Sequence, residues 1–96
     1  MKTVCVIPAY NEDQRLAGVI AKVKPLVGAV VIVDDGSKKK IDWLAPMAGV
    51  FVLRHPINRG QGAALQTGSD YALKLDADII IHFDADDQFA AEEITD

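Results

Sequence analysis

Residues 29–37 read AVVIVDDGS. Five apolar residues, four of them β-branched, run without a polar break into two aspartates and an Asp-Gly turn. A strand with one wet face alternates apolar and polar residues. A strand with no alternation needs cover on both faces, which is the signature of a parallel sheet between helical layers. The segments around it repeat the idea. TVCVIP (3–8), VFVLRH (50–55) and ADIIIHF (77–83) are also apolar almost throughout, and Pro8 is expected to stop the first of them.

Between the strands the spacing changes to helical. NEDQRLAGVIAKVKPLV (11–27) opens with Asn11 as N-cap, Gln14 three residues later, and Glu12 and Asp13 in the first turn. Leu16, Val19, Ile20 and Val23 follow at helical spacing, with Pro25 or Gly28 as the stop. IDWLAPM (41–47) has room for one helical turn, and Trp43 there suits the core or a pocket wall. NRGQGAALQTGSDYALKL (58–75) is a full helix whose small or apolar face is Ala64, Leu65, Gly68, Tyr71, Ala72 and Leu75. AAEEITD (90–96) begins another helix. The order β-α-β-(short α)-β-α-β-α predicts an α/β fold, a Rossmann-like three-layer sandwich on a parallel sheet.

Crossovers between parallel strands are right-handed, so the strands run one way and their C-terminal ends share an edge, where ligands bind. PAYNE (8–12), DDGS (34–37) and DADDQ (84–88) each follow a strand and converge there. Asp84 and Asp86 lie two apart, so extended backbone points their side chains the same way. Two carboxylates held together repel unless a cation lies between them or one stays protonated. Hard oxygen donors favour Mg²⁺ or Mn²⁺, and Gln88 adds a neutral oxygen. The bland reading is a solvated turn that caps the next helix. Three aspartates after a buried strand favour the metal by about three to one. An EF-hand is excluded: from Asp84 its sixth position is Phe89 and its twelfth Thr95.

DDGS is also readable as an ordinary turn, or as acids reaching a ribose or base, with Gly36 permitting the bend. No G-x-G-x-x-G follows the first strand and no Gly-Lys-Ser/Thr closes NRGQGAALQTG, so dinucleotide and Walker-type sites are disfavoured. Tyr10 offers a stacking face. Gly60 and Gly62 let backbone approach closely at a helix start, and Gly68 in mid-helix suits tight packing on the sheet. Arg59 suits an anion or plain solvent. His55 and His82 look isolated, and His82, inside an apolar strand, is expected to be a packed core histidine. Cys5, the only cysteine, is expected in the core and excludes an internal disulfide.

The chain has 96 residues, half of them hydrophobic and a quarter charged, enough for one small domain. A net charge of −4 disfavours non-specific nucleic-acid binding. No secretory signal is visible, and the longest apolar run, LVGAVVIV (26–33), is far short of the roughly 18 residues of a membrane span.

Read together, VIPAYNE (6–12), VIVDDGS (31–37), NRGQGAALQTG (58–68) and DADDQ (84–88) resemble the start of a family 2 glycosyltransferase, and are most similar to the dolichyl- or polyprenyl-phosphate mannose and glucose synthases. The resemblance implies that residues 1–96 form the N-terminal half of a GT-A nucleotide-sugar-binding fold, an incomplete domain. It implies a UDP- or GDP-sugar donor, an inverting transfer, and an acceptor such as a polyprenyl phosphate. Pro8, Ala9, Tyr10, Glu12, Asp34, Asp35, Asn58, Gly60, Asp84 and Ala85 would line the donor nucleotide site. Asp84, Asp86 and Gln88 would hold Mg²⁺ or Mn²⁺. A cytoplasmic location follows, peripheral to the membrane face where a lipid acceptor lies. A second copy could cover an exposed sheet edge. Lys38, Lys39 and Lys40 stand where the family carries an aspartate, and Phe89 where it often has histidine. The family's catalytic base comes further downstream than these residues reach, so the catalytic residue is unassigned and the stretch by itself is expected to bind donor weakly without transferring sugar.

Three rival readings stand beside this one, two of which use the same aspartates. A response-regulator receiver would bind Mg²⁺ with Asp34 and Asp35 and be phosphorylated on Asp84. A haloacid-dehalogenase-type phosphatase would use the Asp-x-Asp pair. A degenerate scaffold would use none of them.

Overall fold

The computed structural model describes residues 1–10, 13–37 and 49–83. Four strands form one parallel sheet: β1 (Thr3–Ala9), β2 (Ala29–Asp35), β3 (Val50–His55) and β4 (Ile79–His82). Helix α1 (Asp13–Val23) joins β1 to β2, and α2 (Gln61–Lys74) joins β3 to β4. The strand order is β3-β2-β1-β4. The α/β parallel-sheet class expected from the sequence is the one observed.

Alternation along the strands divides the core in two. Cys5, Ile7, Ala9, Val30, Ile32 and Val50 pack with Leu16, Ile20 and Val23 of α1. Val4, Val6, Ala29, Val31 and Val33 pack with Ala64 and Ala72 of α2. Every residue of β2 is buried, which is what its unbroken apolar run requires. Cys5 lies fully inside, and burial pushes its thiol pKa up to about 12.

One boundary follows expectation and one does not. Helix α1 ends at Val23, and Lys24–Leu26 form a 3₁₀ turn. Pro25, one of the two expected stops, accounts for this, because it has no N–H to donate to the Ala21 carbonyl four residues back. Pro8 does not end β1, which continues to Ala9 with Pro8 paired to Val33. The Val6 carbonyl accepts from Phe83 N–H on the β4 side. Pro8, two residues on, turns its nitrogen to that same side, beyond Val6↔His82, the last β1–β4 pair. Its missing N–H therefore removes no ladder bond.

Gly68 sets how closely α2 lies on the sheet. A Cβ there would stand 2.2 Å from Val6 Cγ1 and 3.1 Å from Val33 Cγ2. The expectation of tight packing at this glycine holds.

Candidate functional site

From β1 the chain builds β2 and then β3 on one flank, and crosses back to place β4 on the other. The connections part between β1 and β4. Such a switch point leaves a crevice at the C-terminal ends of the strands. Ala9 and Tyr10 leave β1 at this edge, and His82 and Phe83 leave β4 there. Tyr10 is 46% exposed, so its ring is available to a ligand. Asn11, Glu12 and residues 84–96, including Asp84, Ala85, Asp86 and Gln88, lie outside the described residues, as does Trp43. Among the described residues no three acidic, histidine or cysteine side chains gather in a way that could hold a metal.

The best-defined part of the edge is the end of β2. Alternation sends Asp34 toward the α1 face and Asp35 toward the α2 face. Asp34 is buried; it accepts from Ser37 N–H at 3.0 Å and from Arg54 Nη1 at 2.6 Å. Arg54 also donates from Nη2 to the Ser37 carbonyl at 3.1 Å, so one guanidinium locks the turn after β2. Asp35 accepts from three groups. Its Oδ1 meets His55 Nδ1 at 2.7 Å and Arg59 N–H at 2.9 Å; its Oδ2 meets Gly60 N–H at 2.8 Å. Burial by itself would raise the Asp35 pKa. The bonds from His55, Arg59 and Gly60 outweigh it and hold the carboxyl below its usual range.

Three glycines of this edge play different parts. Gly36 has φ +75°, and a Cβ on it would fall 2.4 Å from Asn58 N and 2.5 Å from Ile57 C. It is the point where the turn after β2 presses on the loop after β3. Gly60 combines φ 97° with ψ 160°, a region essentially reserved for glycine, and so aims its amide at Asp35. Gly62 has nothing within 4 Å of the Cβ position.

Both histidines differ from expectation. His55 is buried and bonded at both ring nitrogens, to Asp35 and, through Nε2, to Thr67 Oγ1 at 2.8 Å. The register Asp35↔His55 makes that pair, and register is invisible in one sequence. His82 is exposed and meets Ser69 Oγ at 3.0 Å through Nε2. It lies on the outer strand of the described sheet, not in the core.

The sequence matches the family described as Glycosyl transferase family 2 over residues 4–96. The chain belongs to that family. It is 41% identical over 90 residues to an uncharacterised protein of Methanocaldococcus jannaschii, covering 93% of this chain and 37% of that protein. It is 33% identical over 107 residues to UDP-N-acetylglucosamine–dolichyl-phosphate N-acetylglucosaminyltransferase of Methanococcus voltae, covering 93% of this chain and 43% of that protein. Its fold matches glucosyl-3-phosphoglycerate synthase of Mycobacterium tuberculosis, solved with Mn²⁺, UDP and glucosyl-3-phosphoglycerate. The TM-score is 0.73 at 24% identity, over 97% of this chain and 37% of that one. The chain thus spans about two fifths of the length of these relatives. Asp34 and Asp35, the pair that a receiver would use for Mg²⁺, turn to opposite faces of the sheet, and each is bonded to protein donors.

Proposed function

We propose that this chain is the donor-binding part of an inverting glycosyltransferase that uses a UDP- or GDP-sugar and passes the sugar to a polyprenyl phosphate at the cytoplasmic face of a membrane. The observation that carries the reading is the switch point between β1 and β4, where Ala9 and Tyr10 end one strand and His82 and Phe83 the other in a family 2 glycosyltransferase. The names of the relatives from Methanococcus voltae and Mycolicibacterium smegmatis, a polyprenol monophosphomannose synthase in the second case, agree with a lipid-phosphate acceptor. Among the described residues no helix is long and apolar enough to cross a membrane, and a peripheral enzyme needs none.

In this reading Pro8, Ala9, Tyr10 and Glu12 form one wall of the nucleotide pocket. Tyr10 supplies a stacking face for the base. Asp34, Asp35, Asn58 and Gly60 shape the opposite wall, and Asp84 and Ala85 close it. Asp84, Asp86 and Gln88 offer three oxygen donors, a hard set suited to Mg²⁺ or Mn²⁺. Such an ion, when bound, offsets the charge of the diphosphate leaving group. These roles cover the donor side of the reaction, and the base that deprotonates the acceptor is assigned to none of the residues named here.

Thermal unfolding with UDP or GDP, with and without Mn²⁺, tests the proposal. Ligand at a hundred times its Kd stabilises by about 2.7 kcal/mol. Asp86→Ala is expected to remove the metal-dependent part of the shift. A melting point that no nucleotide moves at any metal concentration sinks the reading.

A further inference from the structure

Resting on the donor-site reading, we propose that His55 is a positioning residue: it fixes the Asp35 carboxylate so that the Arg59–Gly60 turn is held in the shape the nucleotide meets. Four elements meet through this side chain. Nδ1 reaches Asp35 Oδ1 at the end of β2, and Nε2 reaches Thr67 Oγ1 on α2, at 2.7 and 2.8 Å. The ring itself stands on the last residue of β3. The fourth element is the turn, whose successive amides of Arg59 and Gly60 point at the two oxygens of the same carboxylate.

Two amides, one on each oxygen, fix the carboxylate relative to the turn but leave the turn tied to Asp35 alone. The third donor, His55 on Oδ1, comes from β3 and is itself bonded to Thr67 of α2, so it anchors the carboxylate, with Gly60 N–H on Oδ2, to the sheet and the helix. Gly60 accepts this only because its φ of 97° turns the amide inward. The turn lies at the C-terminal edge, directly after Ile57 and Asn58, on which Gly36 presses, and opens α2, which packs on β1 and β2. His55 is buried, so it does not touch a ligand itself; its effect passes through Asp35.

Substitutions at His55 separate positioning from mere packing. Asparagine places an amide N–H near where Nδ1 stands and so keeps the bond to Asp35. Glutamine reaches instead toward Thr67, where Nε2 stands. Alanine keeps neither. Each variant of the 96-residue chain is compared under conditions where circular dichroism shows it fully folded. The readouts are amide hydrogen exchange at Arg59 and Gly60, relative to Ala72 within α2, and the calorimetric affinity for UDP and GDP with Mn²⁺.

The expected result is exchange about tenfold faster at Arg59 and Gly60 in His55→Ala and His55→Gln, with affinity weakened by a similar factor, the equivalent of one lost buried hydrogen bond. His55→Asn restores both. Exchange at the two amides that stays at the wild-type rate in His55→Ala overturns the proposal. So does an asparagine variant that behaves like the glutamine one. If wild-type protein binds neither nucleotide, the donor-site reading fails separately, and the exchange rates still decide whether His55 holds the turn.

Discussion

Strands β2 and β4 look alike as text: an apolar run, a polar ending and a turn. In the fold they are opposites. All of β2 is buried, between β1 and β3 and between two helices. Among the described residues strand β4 has β1 on one side only, and Ile79 is 40% exposed. The polar endings follow suit. Asp34 and Asp35 are buried and fully engaged with partners from β3 and the turn before α2, whereas His82 meets a single serine at the surface. Hydropathy reports that a strand is apolar. Position in the sheet decides what that apolarity costs to disturb.

The largest expected contrast is truncation of an isoleucine in each strand. Ile32→Ala removes a fully buried side chain and should cost about 2–5 kcal/mol. Ile79→Ala should stay within about 1 kcal/mol, because much of the side chain already faces solvent. Chemical denaturation of both variants checks this, and equal losses would break the comparison. Next comes Gly68→Ala. Alanine is the better helix former by about 1 kcal/mol, yet the new methyl would strike Val6, and overpacking costs about 1–3 kcal/mol. The net is a loss, whereas Gly62→Ala at the open start of the same helix should gain about 0.5–1 kcal/mol.

Acid titration sharpens the difference between the strand ends. The Asp35 pKa is lowered in the folded state, so its stabilisation is present above the unfolded value near 4 and is lost as pH falls through the folded value. Melting temperatures should therefore drop below about pH 4, and Asp35→Asn, less stable at neutral pH, should show a smaller drop. The smallest effect belongs to His82→Gln, expected to change stability by no more than about 0.5 kcal/mol as an exposed substitution.

Much of the fold was legible in the sequence because it rests on local signals. The spans of β2 and β3 follow the apolar runs residue for residue. The buried face of α2 is the small-residue stripe read from its spacing, and Gly68 announced itself as a glycine where a helix prefers alanine. The two histidines were misjudged for one reason: their surroundings depend on strand order and register. Nothing local says that residue 55 stands level with residue 35, or that β4 lies on the outside of the described sheet. The two aspartates after β2 were legible as members of the edge. Their engagement by Arg54, His55 and two backbone amides was not, since those partners come from other elements. The expected metal ligands Asp84, Asp86 and Gln88 and the residues Glu12 and Ala85 fall outside the described residues, so for them the sequence is the only guide.

The order β3-β2-β1-β4 also has a history written into it. During synthesis β1 can pair with β2 as soon as the first crossover has emerged. Its other edge has to wait until β4 leaves the ribosome, on the order of seventy residues after β1, or several seconds at about 5–20 residues per second. Throughout that interval the amides and carbonyls of Val4 and Val6 that later bond β4 lie along an open apolar edge, the kind that recruits other chains. The short strand β4, which contributes little burial of its own, then acts as the cover for those groups of β1.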